Sequence, residues 1–238
     1  MNTTRASTLL WGAAMLLVAG LAQASDGKAI LDKQCAGCHN LNGPAPTTLQ
    51  GVWERKGPDL FYAGNKYKHD WIVNWLQNPV RIRPAGMYYG SHIKTGTDGT
   101  DVIDESGLVK HPKLSHNDAQ SVADALMTFK AKGNLIKPGE YKPGSISVSM
   151  GDLMFDKFKG CIACHRIEAD YGGASGPEVY TAANRLQEDY MISYMRDPQA
   201  WDPRIFMPAR HLGEQDLQKF VRYFHALSKE QSKEENDE

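Results

Sequence analysis

A chain of 238 residues with 27 Lys and Arg against 28 Asp and Glu has a formal charge of −1, which gives it no basic field for nucleic acid. Hydrophobic residues make up 41% of it, enough for packed cores at this length. It contains four cysteines, and their neighbours decide what they do.

Residues 1–24 hold one basic side chain, Arg5, an apolar run from Leu9 to Leu21, and the small-x-small triplet Ala22, Gln23, Ala24. This pattern reads as a signal peptide removed before Ser25. The run is shorter than the ~20 residues needed to cross a bilayer, and no later segment is apolar enough, so the mature chain is expected to have no transmembrane segment. A short helical pattern over 27–34 then leads into QCAGCHN, with Cys35, Cys38 and His39. Next comes GPDLFYAGNKYKHDWIVNWLQNP, residues 57–79, where Trp71, Ile72, Trp75 and Leu76 form one stripe on a helix that stops before Pro79. Met87 follows in RPAGMYY. Residues 88–116 form a long insertion whose Asp-Gly and Ser-Gly steps predict turns, with Val102, Ile103, Leu108 and Val109 expected in a short hairpin. An amphipathic helix over 117–130 carries Val122, Leu126 and Phe129.

Residues 133–149 contain Lys-Pro-Gly twice and little periodicity, which predicts a linker. After it the order repeats. A helical pattern over 151–159 leads into KGCIACHRI, with Cys161, Cys164 and His165. GPEVYTAANRLQEDYMISYMRDP, residues 176–198, aligns with 57–79 without a gap, pairing Trp71 with Tyr190 and Trp75 with Tyr194. Met207 lies in RIFMPAR, and a closing helix over 215–227 carries Leu217, Phe220, Val221 and Phe224. The charged run 229–238 is expected to fray.

All four thiols therefore fall in two copies of C-x-x-C-H, the spacing of c-type haem attachment. Zinc held by four thiolates is the competing reading if the two pairs converge, and a dithiol couple is another. Neither requires a histidine after each pair.

With these motifs in this order, the chain resembles the two-domain dihaem bacterial cytochromes c, in which two class I cytochrome c folds are fused. The resemblance covers almost all of residues 27–227. It implies an all-α fold of two small helical domains, each wrapped around one covalent haem c. Domain 1 would span 25–132 with the insertion at about 88–116, and domain 2 would span 150–228. It also implies haem attachment at Cys35, Cys38, Cys161 and Cys164, proximal iron ligation by His39 and His165, and orientation of those rings by the carbonyls of Pro58 and Pro177. His39 lies farther from Gly57 than His165 does from Gly176, so Gly43-Pro44 competes for the role of Pro58. Met87 and Met207, in Pro-rich loops at matching offsets, match the family's distal ligand position. His92, His111 and His116 read as surface residues of the insertion, with ligation of the first iron as their alternative role. His69, His211 and His225 show no site pattern.

A six-coordinate iron has no open position for a substrate, so the expected role is electron transfer between redox partners in the periplasm, not catalysis. A dedicated cytochrome subunit of a periplasmic dehydrogenase or reductase complex is the alternative. A thiosulfate-oxidising or peroxidase-type enzyme is a third reading, but the first needs a cysteine outside C-x-x-C-H and none exists.

Overall fold

The structure, a computed structural model, describes residues 26–99 and 101–237; the expected signal peptide lies outside them. The Asp26 carboxylate accepts from the backbone N–H of Lys28 at 2.9 Å and so caps the first helix, α1 (Gly27–Ile30), which winds on through a π-turn over Leu31–Cys35. Further on lie α2 (Leu49–Trp53), α3 (Ala63–Lys66), α4 (His69–Gln77) and α5 (His116–Met127). The second half opens with α6 (Val148–Leu153), again prolonged by a π-turn, Met154–Phe158. It continues with α7 (Ala182–Arg185), α8 (Glu188–Arg196), α9 (Pro198–Trp201) and α10 (Glu214–Asp237). Ser115 and Ser147 cap α5 and α6 through their hydroxyls. Pro79 follows the end of α4, and Pro198 opens α9 at the position where its missing N–H costs nothing. The described chain is mostly helical, and none of its helices is long and apolar enough to cross a membrane.

Two apolar cores result. The first gathers Leu31, Leu60, Ile72, Val73, Leu76, Val122 and Leu126 from the first half. The second gathers Phe155, Ile192, Trp201, Leu217, Phe220 and Val221, and also takes in Phe61 and Tyr62 from the first half. Each fully buried aliphatic side chain contributes ~1.5–3 kcal/mol, so the shared aromatic pair binds the halves as well as filling space.

In each half the opening helix crosses the closing one at a glycine. A Cβ on Gly27 would stand 1.9 Å from the Ser121 carbonyl oxygen, and one on Gly151 would stand 1.9 Å from the Tyr223 ring. Tyr223 is a fully buried ring, and Ser121 presents backbone that has no rotamer to change. Gly27→Val is therefore expected to force α1 off α5 and to cost at least the upper end of the ~1–3 kcal/mol typical of overpacking. Urea unfolding checks this, with Gly213→Ala, where a Cβ meets nothing within 4 Å, as the control.

The aligned segments 57–79 and 176–198 meet through their own equivalent residues. Tyr67 and Leu186, which occupy the same position of the repeat, form an antiparallel bridge. The bonds that flank it match: Lys68 N–H donates to Arg185 C=O at 2.9 Å, and Gln187 N–H donates to Lys66 C=O at 2.9 Å. The side chains obey the same relation. Lys68 Nζ reaches the carbonyl of Ala183, and Gln187 Nε2 reaches that of Gly64. A local two-fold thus relates the halves at this contact, the self-complementary geometry usual between identical subunits. Away from that axis the halves are tied by Arg83 to the Ser175 carbonyl, Glu178 N–H to Ile82, and a buried ion cluster of Arg55 with Asp59 and Asp202.

Three segments differ from expectation. The hairpin pairs β1 (Ile93–Thr95) with β2 (Asp101–Ile103), and Ile103 faces Ile93, not Leu108 or Val109. Asp104 instead caps a 3₁₀ turn over Glu105–Gly107 that ends the second strand. Residues 133–149 are strapped to the second half: Asp189 accepts from Gly139 and Tyr141, and Glu140 pairs with Arg196 at 2.6 Å. The charged run expected to fray after Lys229 continues α10 to Asp237.

Candidate functional site

In the first half the π-turn ends at Cys35, and the chain then closes on itself as the N–H groups of Cys38 and His39 both donate to the Cys35 carbonyl. This holds two thiols and an imidazole on one turn. Cys35 is half-buried against the first core, and Cys38 is exposed. Burial pushes the Cys35 thiol up, and the neighbouring Cys38 adds to the effect. His39 Nδ1 pairs with the Pro58 carbonyl at 2.8 Å. Pro44 instead accepts from the Asn40 amide at 2.9 Å, so between the two candidate prolines His39 is paired with Pro58. Gly57 makes that approach possible, because a Cβ there would lie 2.6 Å from His39 Cε1. An open cleft of about 300 Å3 adjoins Cys38 and His39, walled in part by Pro46, Gly51 and Arg55.

The second half repeats this construction. Cys161 is half-buried against the second core, Cys164 is exposed, and the N–H of His165 donates to the Cys161 carbonyl at 3.2 Å. His165 Nδ1 pairs with the Pro177 carbonyl at 2.7 Å. A Cβ on Gly176 would lie 2.7 Å from His165 Cε1, which matches Gly57 in its half. Burial pulls His165 down to about 4 against the opposing pull of the Pro177 carbonyl, so the ring is neutral near pH 7. His39 is lowered too, first by burial and further by nearby His111. In both rings the proton belongs on Nδ1, where a carbonyl accepts it, and the lone pair is left on Nε2.

Met207 is half-buried and packs against the second core, and its carbonyl accepts from Gln199 Nε2 at 2.8 Å. Met87 is half-buried as well, but it lies in a segment drawn towards the second half. Ala85 N–H donates to Ala174, and the Tyr88 ring stacks on Trp53 with centroids 5.6 Å apart and approaches Phe206 at 6.2 Å. Of the insertion's histidines, His92 lies against Gly86 and Gly107, and His116 is exposed at the start of α5. His111 lies beside His39 with ring centroids 6.2 Å apart, and its ring also meets Trp75 at 4.6 Å. His69 Nε2 lies 2.8 Å from the Asp124 carboxylate and His225 Nε2 3.2 Å from that of Glu188.

No family model, curated protein or solved structure matches this chain. What the site can do therefore rests on its own chemistry. The cysteine pairs belong to different cores, so the four thiolates do not form one tetrahedral shell, and the zinc alternative loses its geometry. Among the described residues no group of three or more His, Cys, Asp or Glu side chains converges as a metal cage. Each half does assemble two unpaired thiols beside one imidazole whose Nδ1 is anchored and whose Nε2 is free. That donor set fits a porphyrin held by two thioether bonds, with iron bound by the free nitrogen. Proximity of His111 to His39 was not readable from the sequence, because 72 positions separate them and the intervening insertion carries no periodicity.

Proposed function

We propose that the chain is a dihaem c-type cytochrome of the periplasm that relays electrons between redox partners. One haem c is linked to Cys35 and Cys38 and the other to Cys161 and Cys164. The observation that carries this reading is the repeated anchoring of a motif imidazole, His39 on Pro58 and His165 on Pro177, each beside two free thiols. A carbonyl on Nδ1 fixes the tautomer, orients the ring and raises the basicity of the nitrogen that would bind iron. Haem, when bound, supplies reversible one-electron chemistry. The residues of the chain hold it, exclude water from it through the two apolar cores, and set its potential through the second axial residue. In the second half that residue is Met207, whose loop is fixed by Gln199. Close attachment of the halves by the Tyr67–Leu186 bridge and the Arg55 cluster supports a relay in which both sites keep a fixed separation.

A second reading, as a dedicated subunit of a periplasmic dehydrogenase or reductase, is favoured by one feature. Trp53 and Phe206, one from each half, are 43% and 59% exposed and flank Tyr88. A stable partner copurifying from periplasm would select it.

Haem counting tests the proposal. The purified protein should show haem-staining colour that survives denaturing electrophoresis, and Cys161→Ala/Cys164→Ala should halve the haem per chain in a pyridine haemochrome assay. An undiminished haem content in that variant removes the second motif as an attachment site.

A further inference from the structure

We propose that His111 supplies the second axial bond opposite His39, which makes the first haem bis-histidine while the second is His/Met. This rests on the dihaem reading above and concerns what completes one of its two sites. Met87 matched the expected ligand position by its offset after Pro79, but the fold brings a different side chain to His39.

Four observations carry the assignment. The ring centroids of His39 and His111 are 6.2 Å apart. A metal–imidazole bond is ~2 Å long, and two of them in line, with about 1 Å from each nitrogen to its ring centre, put the centroids ~6 Å apart. The spacing is thus that of two imidazoles sharing one metal. Both rings also leave the same nitrogen free. His39 Nδ1 is on the Pro58 carbonyl and His111 Nδ1 is on the Pro112 carbonyl at 2.9 Å, so each keeps Nε2 as its free nitrogen.

His111 is held in place as well. Trp75 packs on it at 4.6 Å, and the indole N–H of Trp75 donates to Val80 at 2.9 Å, which fixes the indole. Just after His111, the Leu114 N–H donates to the Leu76 carbonyl at the end of α4, and Lys113 reaches Asn78. The insertion therefore returns across the C-terminal end of α4 and delivers His111 to the face where Trp71 and Trp75 stack. Met87, by contrast, is on a segment whose neighbours Ala85 and Tyr88 are committed to Ala174 and to Trp53 and Phe206.

The consequence is a built-in direction. Imidazole in place of thioether favours ferric iron, so the first haem has the lower potential and electrons pass from the first half to the second. The 88–116 insertion then serves chiefly to bring in this ligand, which accounts for its presence in only one of two otherwise matching halves.

The test starts by counting haem on the intact protein. Fewer than two per chain refutes the dihaem reading, and this assignment falls with it. With two haems present, the weak long-wavelength charge-transfer band of thioether-ligated ferric haem should have single-haem intensity. It should be abolished by Met207→Ala and unchanged by Met87→Ala. His111→Met should double it, and His111→Ala should open one ferrous iron per chain to carbon monoxide. The proposal is overturned if the intact protein shows two-haem band intensity that Met87→Ala halves, or if His111→Ala leaves the first iron closed to carbon monoxide. Even if the His111 variants fail to fold, two-haem band intensity in the intact protein overturns the proposal, and the same single-haem band with His92→Ala and His116→Ala leaving the first iron closed to carbon monoxide supports it.

Discussion

Met207→His is expected to keep the second iron six-coordinate and low-spin while lowering its potential by a few tenths of a volt, a large part of the ~0.8 V range that axial ligands span. A thioether is a soft, neutral ligand that stabilises ferrous iron, and a second imidazole removes that preference. The loop is suited to the exchange. Met207 is half-buried on the second core, and Gln199 holds its backbone carbonyl at 2.8 Å whatever the side chain is. A redox titration followed at the visible bands should show one haem shifted and the other unmoved, because the first motif cysteine, Cys35, packs against the other core. If His111 completes the first site, the same substitution gives both haems two imidazoles and removes most of the potential difference between them. An unchanged titration takes Met207 off the ligand list, and Met154, Met191 and Met195, all buried in the second core, are then the methionines to test.

The helices that carry the cores were readable because their signals are local. The Trp71, Ile72, Trp75, Leu76 stripe and its counterpart from Tyr190 to Met195 predict α4 and α8, and Pro79 and Pro198 mark their ends. That the two copies would meet at equivalent residues was not readable. The contact is made by backbone groups around Tyr67 and Leu186, and the side chains that repeat it, Lys68 and Gln187, are different residue types doing the same thing. The choice between Pro44 and Pro58 is likewise spatial. Linear distance from His39 favours neither, and the close approach of the ring to Gly57 decides it. In the insertion, the Asp-Gly turn was legible at Gly99, which has φ 82°, but its first strand was not, since Ile93, Lys94 and Thr95 bury little and alternate weakly. His111 reads as a surface residue for the same reason. It follows a charged, aperiodic stretch, and only the return of the chain over Leu76 brings it inward.

Removing the cation from the junction is expected to destabilise the folded chain strongly. Arg55 is 8% exposed and pairs with Asp202 across the junction and with Asp59 in its own half at 3.1 Å; the two carboxylates are 7% and 3% exposed. Arg55→Leu leaves two buried carboxylates facing each other without a counter-charge, and breaking a buried pair in this way costs about 3–5 kcal/mol. Asp59 is already raised by burial, against the pull of Arg55, and is raised further by Asp202. Without Arg55 its folded pKa must rise more. A carboxyl whose folded pKa lies above its unfolded value contributes stability that is complete below the unfolded value and is lost as pH rises through the folded one. The difference between variant and parent is therefore expected to be largest near pH 7 and to shrink as the pH falls towards 4. Glu188 imposes the opposite trend on parent and variant alike. Held at about 2 by His225 and Lys68, its ordinary value being 4.5, it stabilises the folded state above 4.5 and loses that contribution on the way down to 2, so only the difference between the two proteins isolates the Arg55 cluster. Urea unfolding of the oxidised protein at pH 7 and pH 4.5, followed by circular dichroism, measures this difference. Adding Asp202→Asn to Arg55→Leu should recover part of the loss, because one carboxylate alone has no like charge beside it. A cost below about 1 kcal/mol that is flat with pH would mean that water reaches the pair and that the Arg55 cluster is not what joins the halves.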